Sequence, residues 1–192
     1  MAAIQEGSKV QYNFLGKSGL KVSNICLGTL TFGESPIGRP GQCDESLSFQ
    51  ILDRYAAWGG NFVDTADFYG YGNSENVVGS WLKRQNREDF VIATKCRYDM
   101  CQNVNSVGLS RRHITKSIED SLRRLHTDYV DVYQTHLFDN ATPLDETFRT
   151  MDDLVRCGKI RYVGVSNVSG WQLQKIVETQ KQLGLNPIVS LQ

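Results

Sequence analysis

Residues Asn61–Ser80 read NFVDTADFYGYGNSENVVGS. The stretch begins as a short apolar run that stops abruptly at the carboxylate of Asp64. Tyr69 follows in a segment of small and polar residues. This arrangement indicates either a strand that runs out into a solvated loop or two members of an active site, and the rest of the chain has to decide between them.

The same pattern of an apolar, β-branched or aromatic run followed by a longer stretch with helical spacing recurs along the chain. The runs are ICLGT from Ile25, NFVDT from Asn61, DFVIATK from Asp89, DYVDVYQTH from Asp128, KIRYVGVSN from Lys159 and NPIVSLQ from Asn186. Strands that alternate with helices predict a parallel sheet with right-handed crossovers.

Helix-end signals lie between these runs. Thr142 with Pro143 and Asp145 predicts an N-cap, a first-turn proline and an acidic third residue. Ser169 with Gln172 has the form of a capping box. The glycines at which helices should stop are Gly59, Gly158 and Gly184.

Two architectures compete for this alternation, an open doubly wound sheet and a (β/α)8 barrel. The units repeat about every 30 residues, as in a barrel of about 250 residues. A dinucleotide-binding doubly wound sheet should carry GxGxxG after its first strand, but that position reads GTLTFGESPIG. We therefore predict a single α/β domain over residues 1–192, an incomplete (β/α)8 barrel with about six of its eight units. The segment VQYNFLGKSGLKVSN predicts an N-terminal β-hairpin over the N-terminal end of the barrel.

The charge and the cysteine content limit the classes of function that the sequence favours. Lys+Arg and Asp+Glu are both 21, so no basic field favours nucleic acid or an anionic membrane. No run approaches membrane-spanning length, and the first residues lack the apolar core of a signal peptide. The five cysteines include no second close pair that would complete a zinc site. We therefore expect no metal and reduced thiols in a cytoplasmic protein.

Polar groups end the successive strands, and in barrel enzymes the active site lies at these C-terminal strand ends. The groups are, in order, Thr29, Asp64, Lys95, His136, Ser166 with Asn167, and Gln192. Any one of them has an ordinary explanation as a loop residue, but five successive ends suited to proton transfer and amide recognition predict a site. Asp67 is interpreted as a local turn residue. The stretch CRYDMCQNVNSVGLS is a long loop that either overhangs the substrate mouth or is a mobile surface loop.

The chemistry of these groups fits together. A free tyrosine is a poor acid at neutral pH, and an adjacent ammonium favours the phenolate form. Tyr69 beside Lys95, with Asp64 holding the ammonium, can donate a proton to a carbonyl oxygen, while His136 orients that oxygen. No side chain supplies a hydride, so reduction requires a nicotinamide cofactor.

The sequence resembles the aldo-keto reductases, in the branch with bacterial-type reductases and potassium-channel beta subunits. The matching segments, in the family's order, are LGKSGLKVSNICLGTLTFG, NFVDTADFYGYGNSENVVGSWL, DFVIATKC, GLSRRHITKSIEDSLRRLHTDYVDVYQTH, GKIRYVGVSN and VSLQ. The resemblance implies a catalytic tetrad of Asp64, Tyr69, Lys95 and His136. It also implies NADPH as cofactor. The residues implied at the cofactor are Ser166, Asn167 and Gln192 on the nicotinamide amide, with Gly28, Thr29 and Asp64 nearby.

Three functions follow as hypotheses. The first is NADPH-dependent reduction of a small aldehyde or ketone. The second is a catalytically silent binding or regulatory subunit, because the chain is C-terminally shortened relative to the family and lacks its seventh and eighth strands. The third, disfavoured, is a Schiff-base lyase using Lys95, since Asp64 would keep that lysine protonated. Self-association through the open barrel edge is a further expectation.

Overall fold

A computed structural model of the chain describes residues 10–34, 38 and 40–192. An antiparallel hairpin of β1 (Tyr12–Phe14) and β2 (Lys21–Ser23) comes first. The later strands are β3 (Leu27–Gly28), β4 (Phe62–Asp64), β5 (Val91–Cys96), β6 (Val130–Thr135), β7 (Ile160–Val165) and β8 (Ile188–Leu191). The α-helices are α1 (Glu45–Ala57), α2 (Asn73–Leu82), α3 (Arg111–Leu125), α4 (Leu144–Arg156) and α5 (Gly170–Leu183), with 3-10 turns at Tyr69–Gly72 and Arg87–Asp89.

The parallel sheet of the described residues has the strand order β3-β4-β5-β6-β7-β8. Each strand pairs with its successor in the sequence, so the order never reverses. A doubly wound sheet reverses its order at a switch point, whereas a (β/α)8 barrel keeps it. The predicted fold, an incomplete (β/α)8 barrel with an N-terminal hairpin, is confirmed.

The two faces of the sheet bury different side chains because successive residues of a strand point to opposite faces. Val91 and Ala93 of β5 pack with Val132 of β6 and Val22 of the hairpin in a small inner cluster. Ile92, between the first two, belongs to the larger cluster beneath the helices. The hairpin therefore covers the inner face near the N-terminal ends of the strands, and the opposite ends are left for the site.

The predicted helix ends are confirmed except at the N-terminal end of α4. Ser169 and Gln172 form the capping box of α5. The three glycines Gly59, Gly158 and Gly184 follow helices with positive φ angles of 88°, 80° and 64°. The predicted cap at Thr142 is wrong, because Pro143 occupies the N-cap position. The Thr142 hydroxyl instead donates to Asp139 Oδ2 at 2.7 Å. It bonds this loop carboxylate and does not cap the helix.

Within the ranges that the structure describes, no helix is long and apolar enough to cross a membrane.

Candidate active site

A buried ion pair joins two neighbouring strands at their C-terminal ends. Lys95 Nζ of β5 donates to Asp64 Oδ1 of β4 at 2.9 Å and to Oδ2 at 2.7 Å. Lys95 is 0 % exposed and Asp64 is 4 % exposed. The pair is therefore largely shielded from water, and each charge depends on the other for compensation.

Tyr69 is brought to the same ammonium by the turn that follows β4. Lys95 Nζ donates to the Tyr69 hydroxyl at 3.1 Å and to the carbonyl oxygen of Thr65 at 2.9 Å. The chain reverses here through Gly70 and Tyr71, which have φ angles of 58° and 54°. Because left-handed backbone is costly for a tyrosine, the surrounding contacts must maintain this turn, which places the phenol on the lysine.

His136 lies on the other side of the phenol as a neutral ring. Its ring centroid is 5.6 Å from that of Tyr69, with the planes 78° apart. Burial, with a smaller contribution from the Lys95 charge, lowers the pKa of His136 to about 4. At neutral pH the imidazole therefore carries one N–H donor and no charge. Its Nδ1 atom is buried and has no partner among the described residues.

Two glutamine amides complete the hydrogen bonding of the Asp64 carboxylate. Gln192 Nε2 donates to Oδ2 at 3.1 Å, and Gln134 Nε2 donates to Oδ1 at 3.2 Å. The sequence analysis did not identify Gln134 as a candidate site residue, although the alternation of residues in β6 indicated it. The alternation in β6 places Gln134 on the inner face with Val132, where an amide 4 % exposed needs a partner.

Ser166 and Asn167 tie together the ends of β6, β7 and β8. Asn167 Nδ2 donates to the His136 carbonyl oxygen and to Ser166 Oγ, both at 2.9 Å. The Asn167 backbone N–H donates to the Gln192 carbonyl oxygen at 3.0 Å, and Asn167 has a positive φ of 52°. Among the described residues no group donates to the side-chain oxygen of Asn167 or of Gln192, so two amide oxygens are available to a ligand.

Gly28 and Thr29 lie beside Asp64 in different ways. Gly28 is paired in register with Asp64, and a Cβ there would meet nothing within 4 Å. The Thr29 side chain is 0 % exposed, and its hydroxyl donates to the Asp64 carbonyl oxygen at 3.0 Å. It also hydrogen-bonds Ser74 Oγ at 2.7 Å. Thr29 therefore supports the backbone of Asp64, whereas Gly28 leaves open space next to it.

Asp67 lies in the turn before Tyr69, as predicted, but its side chain does not stabilise that turn by a hydrogen bond. It is 1 % exposed, and neither carboxyl oxygen has a hydrogen-bond partner among the described residues. Burial raises the pKa of Asp67 well above its usual range, and the nearby charge of Glu75 adds to this effect. Burial of Asp67 beneath the site thus disfavours its charged form. The described side chains include no group of three His, Cys, Asp or Glu residues placed to hold a metal ion.

The loop after β5 forms one wall of a cavity at the mouth of the site. The cavity has a volume of about 520 Å³, and its lining includes the aromatic rings of Phe68, Tyr71 and Tyr98. The Tyr98 ring lies 4.8 Å from the His136 ring, centroid to centroid. The start of this loop therefore lies beside His136, and its overhang of a substrate mouth stays a prediction.

Comparison with protein-family models gives one match, described as the aldo/keto reductase family, over residues 24–192. Norsolorinic acid reductase of Aspergillus flavus is 38% identical over 179 residues, which cover 88% of this chain and 46% of the relative. YrpG, an uncharacterized oxidoreductase of Bacillus subtilis, is 38% identical over 190 residues, with shares of 92% and 56%. Versiconal hemiacetal acetate reductase of Aspergillus parasiticus is 37% identical over 202 residues, with shares of 95% and 58%. The chain thus spans about half the length of the curated relatives it matches.

Proposed function

Because the chain belongs to the aldo/keto reductase family, we propose that it reduces an aldehyde or ketone to an alcohol, with NADPH as hydride donor and Tyr69 as general acid. The observation that carries this proposal is the ammonium of Lys95, which lies between the Asp64 carboxylate and the Tyr69 hydroxyl. The reductases among its relatives support the same reaction class.

The proton would come from Tyr69. As the carbonyl oxygen gains negative charge, the phenol donates its proton to it, and the phenolate that remains faces the Lys95 ammonium at 3.1 Å. Asp64 holds that ammonium in place and keeps it charged. General acid catalysis by a positioned group of this kind accelerates a reaction about 10²- to 10⁴-fold.

His136 would orient the carbonyl. A neutral imidazole donates one hydrogen bond without adding a second positive charge beside Lys95. Its ring lies edge-on to the Tyr69 ring, with the two centroids 5.6 Å apart, so both groups can approach the same oxygen. A donor aimed at the oxygen on which charge develops stabilises the transition state more than the ground state.

The residues at the ends of β7 and β8 fit a nicotinamide. Its carboxamide has N–H donors, and the side-chain oxygens of Asn167 and Gln192 have no donor among the described residues. Ser166, whose hydroxyl accepts from Asn167, and the open space at Gly28 complete the candidate contacts. When bound, the cofactor would supply the hydride.

The Schiff-base alternative has less support. A lysine nucleophile needs an unprotonated amine with a free lone pair. Lys95 instead donates to both oxygens of Asp64, to Thr65 and to Tyr69, which is the pattern of a charged ammonium.

Substitution of Tyr69 tests the proposal. NADPH binding to the 192-residue chain is followed by nucleotide fluorescence, and turnover is assayed with a reactive aromatic aldehyde. We expect saturable binding, and we expect Tyr69→Phe to lower kcat by about 10²- to 10⁴-fold with the fold retained. Tyr129→Phe is the matched control, because the Tyr129 hydroxyl contacts Glu88 before the N-terminal end of β6.

The alternatives predict other outcomes. Saturable binding without turnover would favour a silent binding subunit. A borohydride-trapped adduct on Lys95 would favour the lyase. No binding at millimolar NADPH by a folded chain would contradict the reductase proposal.

All five cysteines are free thiols, which supports the predicted cytoplasmic location. Self-association through the edge strands stays a prediction.

A further inference from the structure

Arg97 is a half-buried cation next to the site that has no acceptor among the described residues. It lies two residues beyond Lys95, at the start of the loop over the mouth cavity. Its Nε atom is buried without a partner, and the side chain forms no hydrogen bond or ion pair with any described residue. Arg87 and Arg124, by contrast, pair with carboxylates at 2.7 Å and 2.6 Å. A buried donor left unpaired is costly, so a missing acceptor calls for an explanation.

Asp139, the carboxylate on the loop after β6 that feels the Arg97 charge, does not serve as that acceptor. Asp139 accepts hydrogen bonds from the backbone of Leu109 at 2.8 Å, from the backbone of Ala141 at 3.0 Å and from Thr142 Oγ1 at 2.7 Å. These bonds occupy both of its oxygens and link its loop to Leu109 in the loop after β5, and Arg97 acts on it only through its charge. The guanidinium is therefore available to another anion.

Arg97 and His136 lie against the same aromatic ring. The Arg97 Cζ atom is 5.6 Å from the centroid of the Tyr98 ring, and the His136 ring centroid is 4.8 Å from it. Tyr98 also lines the mouth cavity. Asp99, the acidic residue on the cavity wall, accepts from the Cys101 backbone N–H at 2.9 Å, within its own loop. His136 and Arg97 thus both lie within 6 Å of the ring that a substrate in this cavity would contact.

We propose that Arg97 is a specificity-determining residue that selects carbonyl substrates carrying an anionic group, of which a carboxylate is the best match. The fork of N–H donors in a guanidinium fits the two oxygens of a carboxylate, and such charge-assisted bonds are stronger than neutral ones. This inference rests on the proposed reduction of carbonyl groups. It adds that the carbonyl and the anion belong to one substrate whose spacer lies over Tyr98.

A pair of substrates that differ only in charge tests the assignment. The full chain with NADPH is assayed with 4-formylbenzoate and with its uncharged methyl ester. The readout is kcat/KM for the carboxylate divided by that for the ester. We expect Arg97→Gln to lower this ratio by about 10- to 100-fold, the effect of one charge-assisted hydrogen bond. Arg97→Lys keeps the positive charge but loses the paired N–H donors of the guanidinium, and it should lower the ratio less than Arg97→Gln does.

Arg112→Gln is the matched control. Arg112 is exposed on α3, so its substitution removes the same charge and should leave the ratio unchanged. An equal fall in both variants would show a general field effect and overturn the assignment, as would an unchanged ratio in Arg97→Gln.

A binding measurement separates this inference from the proposed function. Calorimetric titration with 4-formylbenzoate, without cofactor, compares the wild type with Arg97→Gln. Binding that weakens in the variant supports the anion site even if the chain reduces neither aldehyde, and in that case only the reductase proposal fails. Equal binding, or none, to both folded proteins overturns the anion site itself.

Discussion

At the scale of single residues, Lys95 and Asp67 are both buried near the site but differ in their partners. The Lys95 ammonium has acceptors on Asp64, Thr65 and Tyr69. The Asp67 carboxyl has no hydrogen-bond partner among the described residues, and burial raises its pKa well above its usual range. The difference follows from the cost of an uncompensated charge in a medium of low dielectric constant.

The raised pKa of Asp67 predicts a pH dependence of stability. Its pKa is higher in the folded chain than in the unfolded one, where it is about 4. Between these two values the folded state binds more protons, so the free energy of unfolding falls as pH rises, by about 1.4 kcal/mol per pH unit. Asp67→Asn keeps the shape and removes this slope. In urea denaturation from pH 4 to pH 8, the free energy of unfolding of the variant should therefore increase relative to that of the wild type as pH rises. Parallel pH profiles would count against a buried neutral acid.

At the scale of the elements, a glycine in β7 makes room for the amide that supports Asp64. A Cβ on Gly164 would lie 2.5 Å from Ser190 Oγ and 2.9 Å from Gln134 Cγ. Gln134 is the residue whose amide bonds Asp64 Oδ1. The approach of β6, β7 and β8 therefore depends on the absence of a side chain at this position.

A pair of glycine substitutions tests this packing. Gly164→Ala should destabilise the fold by about 1–3 kcal/mol, because Gln134 and Ser190 must move. Gly170→Ala is the matched change at the start of α5, where a Cβ meets nothing within 4 Å. It should be neutral or stabilise by up to about 1 kcal/mol, since alanine restricts the unfolded chain. Thermal denaturation measures both, and equal shifts for the two variants would refute the close approach at Gly164.

At the scale of the whole molecule, the site lies where the fold tolerates polar groups in its interior. The inner face is apolar near the hairpin, with Val91, Ala93 and Val132. Farther along the same strands it carries Lys95 and Gln134, two residues beyond these positions. Such a buried ion pair contributes little net stability, because desolvation offsets the attraction between the charges.

Substitution of Asp64 and Lys95, singly and together, should show how far desolvation offsets the attraction between their charges. Asp64→Leu and Lys95→Met each leave one buried charge uncompensated and should each cost about 3–5 kcal/mol. The double variant leaves neither charge, so its loss should be well below the sum of the two. Urea denaturation of the four proteins gives the coupling energy. Strictly additive losses would mean that the pair is solvated.

The fold class and the convergence of the central candidate residues were predictable from the sequence because both depend on local patterns. Apolar runs such as that ending at Asp64 have the period of a strand, and parallel strands bring their C-terminal ends to one edge. The order of Asp64, Lys95 and His136 along the chain was therefore enough to predict that they converge.

Contacts between distant segments were decided only by the tertiary structure. The sequence does not show that Gln134 reaches Asp64. Nor does it show that, in the part of the chain that the structure describes, Asp67 is buried without a partner and Arg97 has no acceptor. Each depends on which side chains of other elements fill the surrounding space, and burial and pairing then set the charge state. The residue types and their periods thus determined the incomplete barrel and the polar edge at which its strands end, whereas packing determined which of these groups are paired and which are open to a ligand.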